Sequence, residues 1–567
     1  MFIQNTQFAL SLANFELAFD LSSQNQLIAL AFLIVTAILN LYTISQNRKL
    51  ECLIGSLYCL SSIICVFAAD FISMIISLEF MTIFACIIIF CDQLKIKPAR
   101  QYFLTHLFSS GLILIGMTLL IQTTGNTAFI SLTESVYNFE LPAIFILAGC
   151  LINASAIFVN GWVVNCYPIA SSSGVVYLIS FTTKVTLIII LKLFSSLEIL
   201  KFFGISMIIY GLVFSLIEKN LKRLICYLTV SQLGFILMAI SINSPNIAYL
   251  ITSFIFIHIL YNGLFALYFT YIEDEYDIKN YQDLQNTQIN LIRPLQKRGF
   301  REKFEGDTER RTTAYKNVRE DSSAGSTYKL PLEVEFLKRS ILLGGFVVSI
   351  LIYTSILPIS SSYIKDGIAD LLDANNIIIF SKIATCTVLF GLLLESLLSS
   401  LRATKRSMAI QEKNRSIFTG LLRQNLQFFL AMTLRDLIYL SFCIITLCVC
   451  LFYPVQISHT TNFKLVILVI SLLLALIFRK IPRISTANIN LDLYQYIEKL
   501  IYFSIDKYKE TVDNNEDAEE YLNFKVIWDN ILSKISAWHN QQTAIFIVLF
   551  LLISLIYILV IPAKAGI

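Results

Sequence analysis

Apolar stretches about 20 residues long recur almost without pause along this chain, and no other feature limits its fold so strongly. Windows at 27–45, 52–69, 72–91, 103–122, 142–164, 173–194, 204–217, 224–242 and 248–271 are followed by 340–357, 376–399, 437–453, 464–478 and 543–562. A helix needs about 20 apolar residues to cross a bilayer, so the pattern predicts an all-α polytopic membrane protein with about 14 transmembrane helices. Composition agrees. Of 567 residues 56% are hydrophobic and 14% charged, against about 25% charged in a soluble domain, which excludes a soluble enzyme. The formal net charge is +4 and the basic residues are spread over short loops, a distribution unlike that of a nucleic-acid binder. Cys59, Cys65, Cys86, Cys150, Cys386 and Cys448 lie inside apolar windows, where a thiol acts as a small hydrophobe. With no CxxC pair and no metal-ligand spacing, neither a disulfide framework nor a metal site is expected.

Basic residues alternate between loops. Arg48-Lys49; Lys95, Lys97 and Arg100; Lys219, Lys222 and Arg223; Arg402, Lys405 and Arg406; and Arg479, Lys480 and Arg483 all follow odd-numbered windows. The positive-inside rule makes these loops cytoplasmic and puts both termini outside, as in a multi-pass protein of a bacterial inner membrane. Residues 1–26 have no basic n-region and carry Glu16 and Asp20, so this segment is expected outside the hydrophobic core.

Two segments do not suit a bilayer. Residues 293–339 mix both charge signs with little periodicity, the composition of a solvated, disordered cytoplasmic loop. They resemble a palindromic-repeat-derived insertion found in unrelated proteins of some obligate intracellular bacteria, which implies a tolerated passenger. Residues 491–540 place apolar side chains at helical spacing (Leu493, Ile497, Leu500; Phe524, Trp528, Ile531) around the acidic stretch Asp513 to Glu520. This amphipathic segment suits a membrane surface or a partner subunit equally.

Charged side chains inside hydrocarbon cost at least about 2.5–3.5 kcal/mol each, so each is a functional candidate. Glu79 sits in the third window, Lys184 in the sixth and His258 in the ninth, while Lys365 follows the helix-breaking Pro358. Packing or solvation offers a competing reading: Glu79 near a membrane face, Lys365 snorkelling from a helix end, and His258 as a core residue. Lys184, apolar for several turns on both sides, has the weakest such reading. Water-bridged groups of this kind would make a proton path.

The run Asn220-Leu221-Lys222-Arg223-Leu224-Ile225-Cys226-Tyr227-Leu228-Thr229-Val230-Ser231-Gln232-Leu233-Gly234-Phe235 resembles the loop-and-helix signature of a known family. That family comprises the proton-conducting, antiporter-like membrane subunits of NADH:quinone oxidoreductase (complex I) and Mrp-type cation/proton antiporters. Leu78-Glu79-Phe80-Met81 is similar to its glutamate helix, Gly161-Trp162 with Tyr167-Pro168 to its first broken helix, Thr183-Lys184-Val185 to its lysine helix and Pro358 to Lys365 to its second broken helix. The resemblance implies two inverted five-helix repeats at 52–194 and 204–400, the second interrupted by the 293–339 insertion. Residues 1–51 would form an N-terminal segment and first span, and 401–567 the C-terminal spans. It further implies proton or sodium translocation along Glu79, Lys184, His258 and Lys365, beside other membrane subunits and lipid, with no cofactor, metal or redox site of the chain's own.

The sequence also departs from the family. Asn153, Asn160 and Asn165 occupy positions of its lysine, histidine and aspartate, and Asn262 and Ala266 those of a second histidine and a lysine. Asparagine hydrogen-bonds water but carries no charge, so Asn153, Asn160 and Asn262 are expected to line the path. The alternative function is a non-conducting structural paralogue kept for assembly. A polytopic enzyme would need an acid and histidine cluster at the membrane edge; Asp366, Asp370 and Asp373 lack a nearby His in the sequence.

Overall fold

The computed structural model describes residues 7–12, 15–91, 96–276, 278–286, 332–354, 360–371, 381–394, 434–452 and 469–476, with Arg483 and Ser485. The chain divides into two compact units: residues 1–8 with 18–491, and residues 9–17 with 492–567. Of the second unit, the described residues are those at the tip of an N-terminal hairpin.

That hairpin, β1 (Gln7–Leu12) and β2 (Phe15–Asp20), is a structure that the sequence pattern did not predict. Asp20, the last residue of β2, ties it to the start of the following helix by accepting from the Ser22 backbone N–H and the Asn25 amide. Helices α1 (Ser23–Ser45), α2 (Lys49–Phe67), α3 (Phe71–Cys91) and α4 (Ile96–Thr124) follow. Asn47, at φ 58°, turns the chain between α1 and α2, with the Arg48 N–H returning to the Thr43 carbonyl. Asparagine tolerates this left-handed cap.

Next come α5 (Thr133–Tyr137), α6 (Leu141–Asn153), α7 (Gly161–Cys166), a 3₁₀ turn (Tyr167–Ile169), α8 (Ser172–Ser180) and α9 (Thr182–Leu193). Beyond them are α10 (Ile199–Ile217), α11 (Leu221–Ile240), α12 (Ile247–Tyr276) and α13 (Tyr281–Asn286). The later described helices are α14 (Leu332–Thr354), α15 (Ser360–Asp370), α16 (Ser381–Leu394) and α17 (Leu434–Phe452). Among the described residues 8 spans are long and apolar enough to cross a membrane, α8–α9 counted as one, and α6 and α16 are shorter apolar helices. The windows at 27–271 therefore all form helices, two of them interrupted.

Helix α14 begins inside the stretch expected to be loop. Its first residues, Leu332-Glu333-Val334-Glu335-Phe336-Leu337-Lys338-Arg339, contain several strong helix formers, so the loop expectation was too long at its C-terminal end. The rest of that insertion, Pro358, the amphipathic segment 491–540 and the window at 543–562 lie outside the described residues.

Helices α8–α9, α11 and α12 are buried almost throughout, whereas α4 and α10 turn large side chains such as Phe108 and Phe202 outward. Small residues bring neighbouring helices close. A Cβ on Gly204 of α10 would lie 2.5 Å from the Gly234 carbonyl of α11, and one on Gly149 of α6 2.7 Å from the Ser109 carbonyl of α4. Such contacts are how helices associate where lipid removes the hydrophobic driving force.

One backbone tie is made twice. The residue before α3, Asp70, bridges to Ala128 beyond α4, and the residue before α11, Asn220, bridges to Asn280 beyond α12. In the first tie Phe71 N–H reaches the Thr127 carbonyl and Phe129 N–H the Ala69 carbonyl; in the second Leu221 reaches Lys279 and Tyr281 reaches Lys219. Asp70 and Asn220 also cap their helices alike, each side-chain oxygen accepting the N–H three residues on.

Candidate functional site

Helix α6 stops inside the bundle rather than at its edge. Ser155, at φ 59°, turns the chain and the Ala156 N–H returns to the Leu151 carbonyl, after which α7 starts at Gly161. This is the first broken helix. Its freed groups are only partly satisfied: the Trp162 indole donates to the Ile152 carbonyl at 3.1 Å, while Asn153 Oδ1, Ser155 Oγ and both polar atoms of Asn160 are buried without a partner. Buried polar atoms are nearly always hydrogen-bonded to protein or to ordered water, so these groups suit a hydrated break.

Glu79 lies on α3 with 7% of its surface exposed, so it is not solvated at a membrane face. The Ser110 hydroxyl of α4 donates to it, and among the described residues no cation pairs with it. One turn from Ser110, His106 is buried, hydrogen-bonded to Asn153 and packed against Tyr102 (4.2 Å between ring centroids) and Trp162 (4.5 Å). The Tyr102 hydroxyl is 3.3 Å from the Thr182 hydroxyl, which Tyr58 also meets.

Thr182 stands at a second break, which the sequence did not predict. Phe181 (φ −108°, ψ −75°) separates α8 from α9; the Thr182 N–H is taken by the Tyr58 hydroxyl at 3.3 Å, and the Ile179 carbonyl by Lys184 Nζ. Lys184 is fully buried. Its ammonium therefore rests on a backbone oxygen released by the break.

Beyond Lys184 lies α12. His258 is fully buried with neither ring nitrogen hydrogen-bonded, and it feels the charges of both Lys184 and Lys365. Asn262, one turn further, donates from Nδ2 to the Thr229 hydroxyl of α11 at 3.2 Å. Lys365 on α15 does not snorkel: it is 6% exposed, donates to the Tyr353 carbonyl at 2.9 Å and lies 5.3–6.0 Å from the ring centroids of Phe254, Tyr353 and Tyr261. Its neighbour Asp366 pairs with Lys382 of α16.

Charged residues also pack near the ends of the inner helices. Lys222, expected to be a solvated loop cation, is 8% exposed in the first turn of α11. It pairs with Glu273 at 3.0 Å and donates to the Ala170 carbonyl. Ser171 and Ser173 at the start of α8 donate to Glu51, and Ser172 donates to Asp274. Acids there also meet the positive end of the α8 dipole.

The geometry thus sets Glu79 with Ser110, Asn153 beside His106, and His258 within electrostatic reach of both Lys184 and Lys365. Asn160 sits at the first break, while Asn262 joins α12 to α11. Sequence reasoning passed over His106, a single imidazole in an otherwise apolar window.

Residues 68–293 match the family described as NADH:quinone oxidoreductase/Mrp antiporter, TM. The NADH-ubiquinone oxidoreductase chain 2 of Rhizopus oryzae is 29% identical over 214 residues, 34% of this chain and 40% of that one. A different, local likeness joins the chain to the S-adenosylmethionine:tRNA ribosyltransferase-isomerase of Rickettsia canadensis, 73% identical over 48 residues, 8% of this chain and 12% of that protein. The chain thus spans well under half the length of these curated relatives. A solved chain from the membrane-bound sulfane sulfur reductase, an archaeal respiratory membrane complex, matches with a TM-score of 0.57 at 13% identity over 83% of this chain and 88% of that one. One from the Mrp complex of Dietzia sp. DQ12-45-1b gives 0.51 at 14% identity over 84% and 88%. At such identities the likeness is one of fold. Residues 68–293 thus resemble the membrane-spanning part of that family, and the helical bundle shares its fold with chains of an Mrp complex and of an archaeal respiratory membrane complex.

Proposed function

We propose that the chain translocates protons or sodium through its buried polar row, as one subunit of a larger complex of NADH:quinone oxidoreductase or Mrp type in a bacterial inner membrane. The observation that carries this reading is Lys184. A lysine with no exposed surface and a backbone carbonyl as its partner has no packing explanation, since an apolar residue of the same volume would be cheaper to bury. Glu79, His258 and Lys365 act as the further carriers, and Asn153, Asn160 and Asn262 hold water between them.

The reading includes two inverted five-helix repeats, 52–194 and 204–400. In its favour are the twice-made tie and the place of the breaks: α6–α7 is the fourth member of the first set, and α14–α15 the fourth of the second. Five crossings separate the sets, so corresponding helices run in opposite directions, the usual architecture for ion movement. The insertion up to the start of α14 is a passenger. A 48-residue stretch 73% identical to part of a tRNA-modifying protein is what such an insert would leave.

The asparagines favour one competitor, a structural paralogue that no longer conducts. Purification from native membranes followed by reconstitution into vesicles separates the two. Redox subunits or small antiporter subunits should co-purify, and an imposed proton or sodium gradient should drive flux. A complex that assembles but passes neither ion would leave the structural reading.

A further inference from the structure

The third helices of the two halves carry one pattern. An aromatic residue is followed four residues later by a histidine and four later again by a hydrogen-bonding residue: Tyr102, His106 and Ser110 in α4; Phe254, His258 and Asn262 in α12. That spacing sets the three on one helix face. Their surroundings agree member for member. Ser110 meets Glu79 on the preceding helix, and Asn262 meets Thr229 on its preceding helix. Tyr102 lies 4.2 Å from the His106 ring, and Phe254 5.9 Å from that of His258. Across each broken helix a nitrogen donates to the last carbonyl but one of the first half-helix: Trp162 to Ile152 of α6, and Lys365 to Tyr353 of α14. Trp162 stands 5.7 Å from Tyr102, and Lys365 Nζ 5.3 Å from Phe254. His106 is therefore to the first half what His258 is to the second.

On the reading of the chain as an ion path, we propose that His106 is a second proton-carrying histidine, set between Glu79 and Lys184 and positioned by Asn153. His106 Nε2 and Asn153 Oδ1 are both buried without a partner where the two side chains meet. A neutral imidazole carries one proton and can take a second on its other nitrogen. The imidazolium then gives up one of the two and is neutral again, so one proton enters and one leaves. Ser110, one turn along the same helix, leads to Glu79, and the Tyr102 hydroxyl leads through Thr182 to the break that holds Lys184. The groups packed around the ring are Tyr102 on its own helix, Asn153 from α6 and Trp162 from α7.

The test uses the full chain in its native complex, reconstituted in vesicles with a pH-sensitive dye. His106→Gln keeps an amide for Asn153 and carries no proton, and Lys184→Ala is the reference. Proton flux lost in Lys184→Ala and lowered at least about tenfold, with an altered pH profile, in His106→Gln is the expected result. Flux lost in Lys184→Ala but at the wild-type level in His106→Gln overturns the assignment of His106 and leaves the path standing. Unchanged flux in Lys184→Ala instead overturns the path. In that case, or where His106→Gln does not assemble, nitrogen NMR of labelled histidine in the unmodified complex decides for His106. A ring that exchanges tautomers or becomes cationic between about pH 5 and 8 supports the proposal, and one fixed in a single neutral tautomer overturns it.

Discussion

On the proposed reading, the half built from α2 to α9 and the half built from α10 to α16 repeat the backbone tie but hold different ionisable groups. Where the first half has Glu79, the second has Thr229; where the second has Lys365, the first has Trp162. Both keep a histidine. The comparison teaches that backbone ties and helix breaks are separable from the charges they carry. A tryptophan indole and a lysine ammonium each supply the donor that a broken helix needs, and only the lysine can also exchange protons.

Lys184, next to the junction of the halves, should produce the largest effect. Lys184→Ala and Lys184→Arg are both expected to reduce ion-coupled flux by about a hundredfold or more while the complex still assembles, because guanidinium keeps its proton. Wild-type flux in both variants would leave only scaffolding.

The two break donors come next. Trp162→Ala should cost about 3–5 kcal/mol of stability, read from the denaturation midpoint, since it empties a buried site and orphans the Ile152 carbonyl. Lys365→Met fills its site and orphans only the Tyr353 carbonyl, a cost of about 1–3 kcal/mol. Equal losses would show that the halves do not divide structure and charge as described. Asn153→Lys, which puts a cation beside His106 and toward Glu79, is expected to raise flux several-fold in the vesicle assay; no change would mean that the first half is not limited by its missing charge.

Smaller effects are expected elsewhere. Glu79→Gln should change stability by less than about 1 kcal/mol, because the amide oxygen still accepts from Ser110, and a larger loss would reveal a cation serving the acid. Deleting residues 293–331 should leave membrane insertion intact, and a cysteine placed there should label from the cytoplasmic side. Labelling from the opposite side would reverse the orientation of every span.

The 8 described spans were legible because hydrocarbon permits few alternatives to an apolar helix of about 20 residues, and Lys184 and Glu79 stood out because charge is so rare within them. The first break could be read only from the resemblance of Gly161-Trp162 with Tyr167-Pro168 to a broken helix of the antiporter-like family. The break at Phe181 could not, since 175–190 contains neither glycine nor proline, and it shows only through Tyr58 and Lys184 taking the freed backbone groups. His106 was hidden for another reason: a lone imidazole in an apolar window looks like packing. The spacing Tyr102-His106-Ser110, laid on Phe254-His258-Asn262, was the available signal, but it carries meaning only once two helices are seen to hold equivalent places.

The paired ties at Asp70–Ala128 and Asn220–Asn280 have a mechanical consequence. Each clamps three consecutive helices at one membrane face, so those three respond to force as a single stiff lever. The compliance of each half is left to its fourth member, the helix already interrupted. Work done by an ion crossing the chain would then be stored as bending at 154–160, not as rocking of whole bundles, and the amides of Phe71, Phe129, Leu221 and Tyr281 should be among the slowest in the chain to exchange with deuterium.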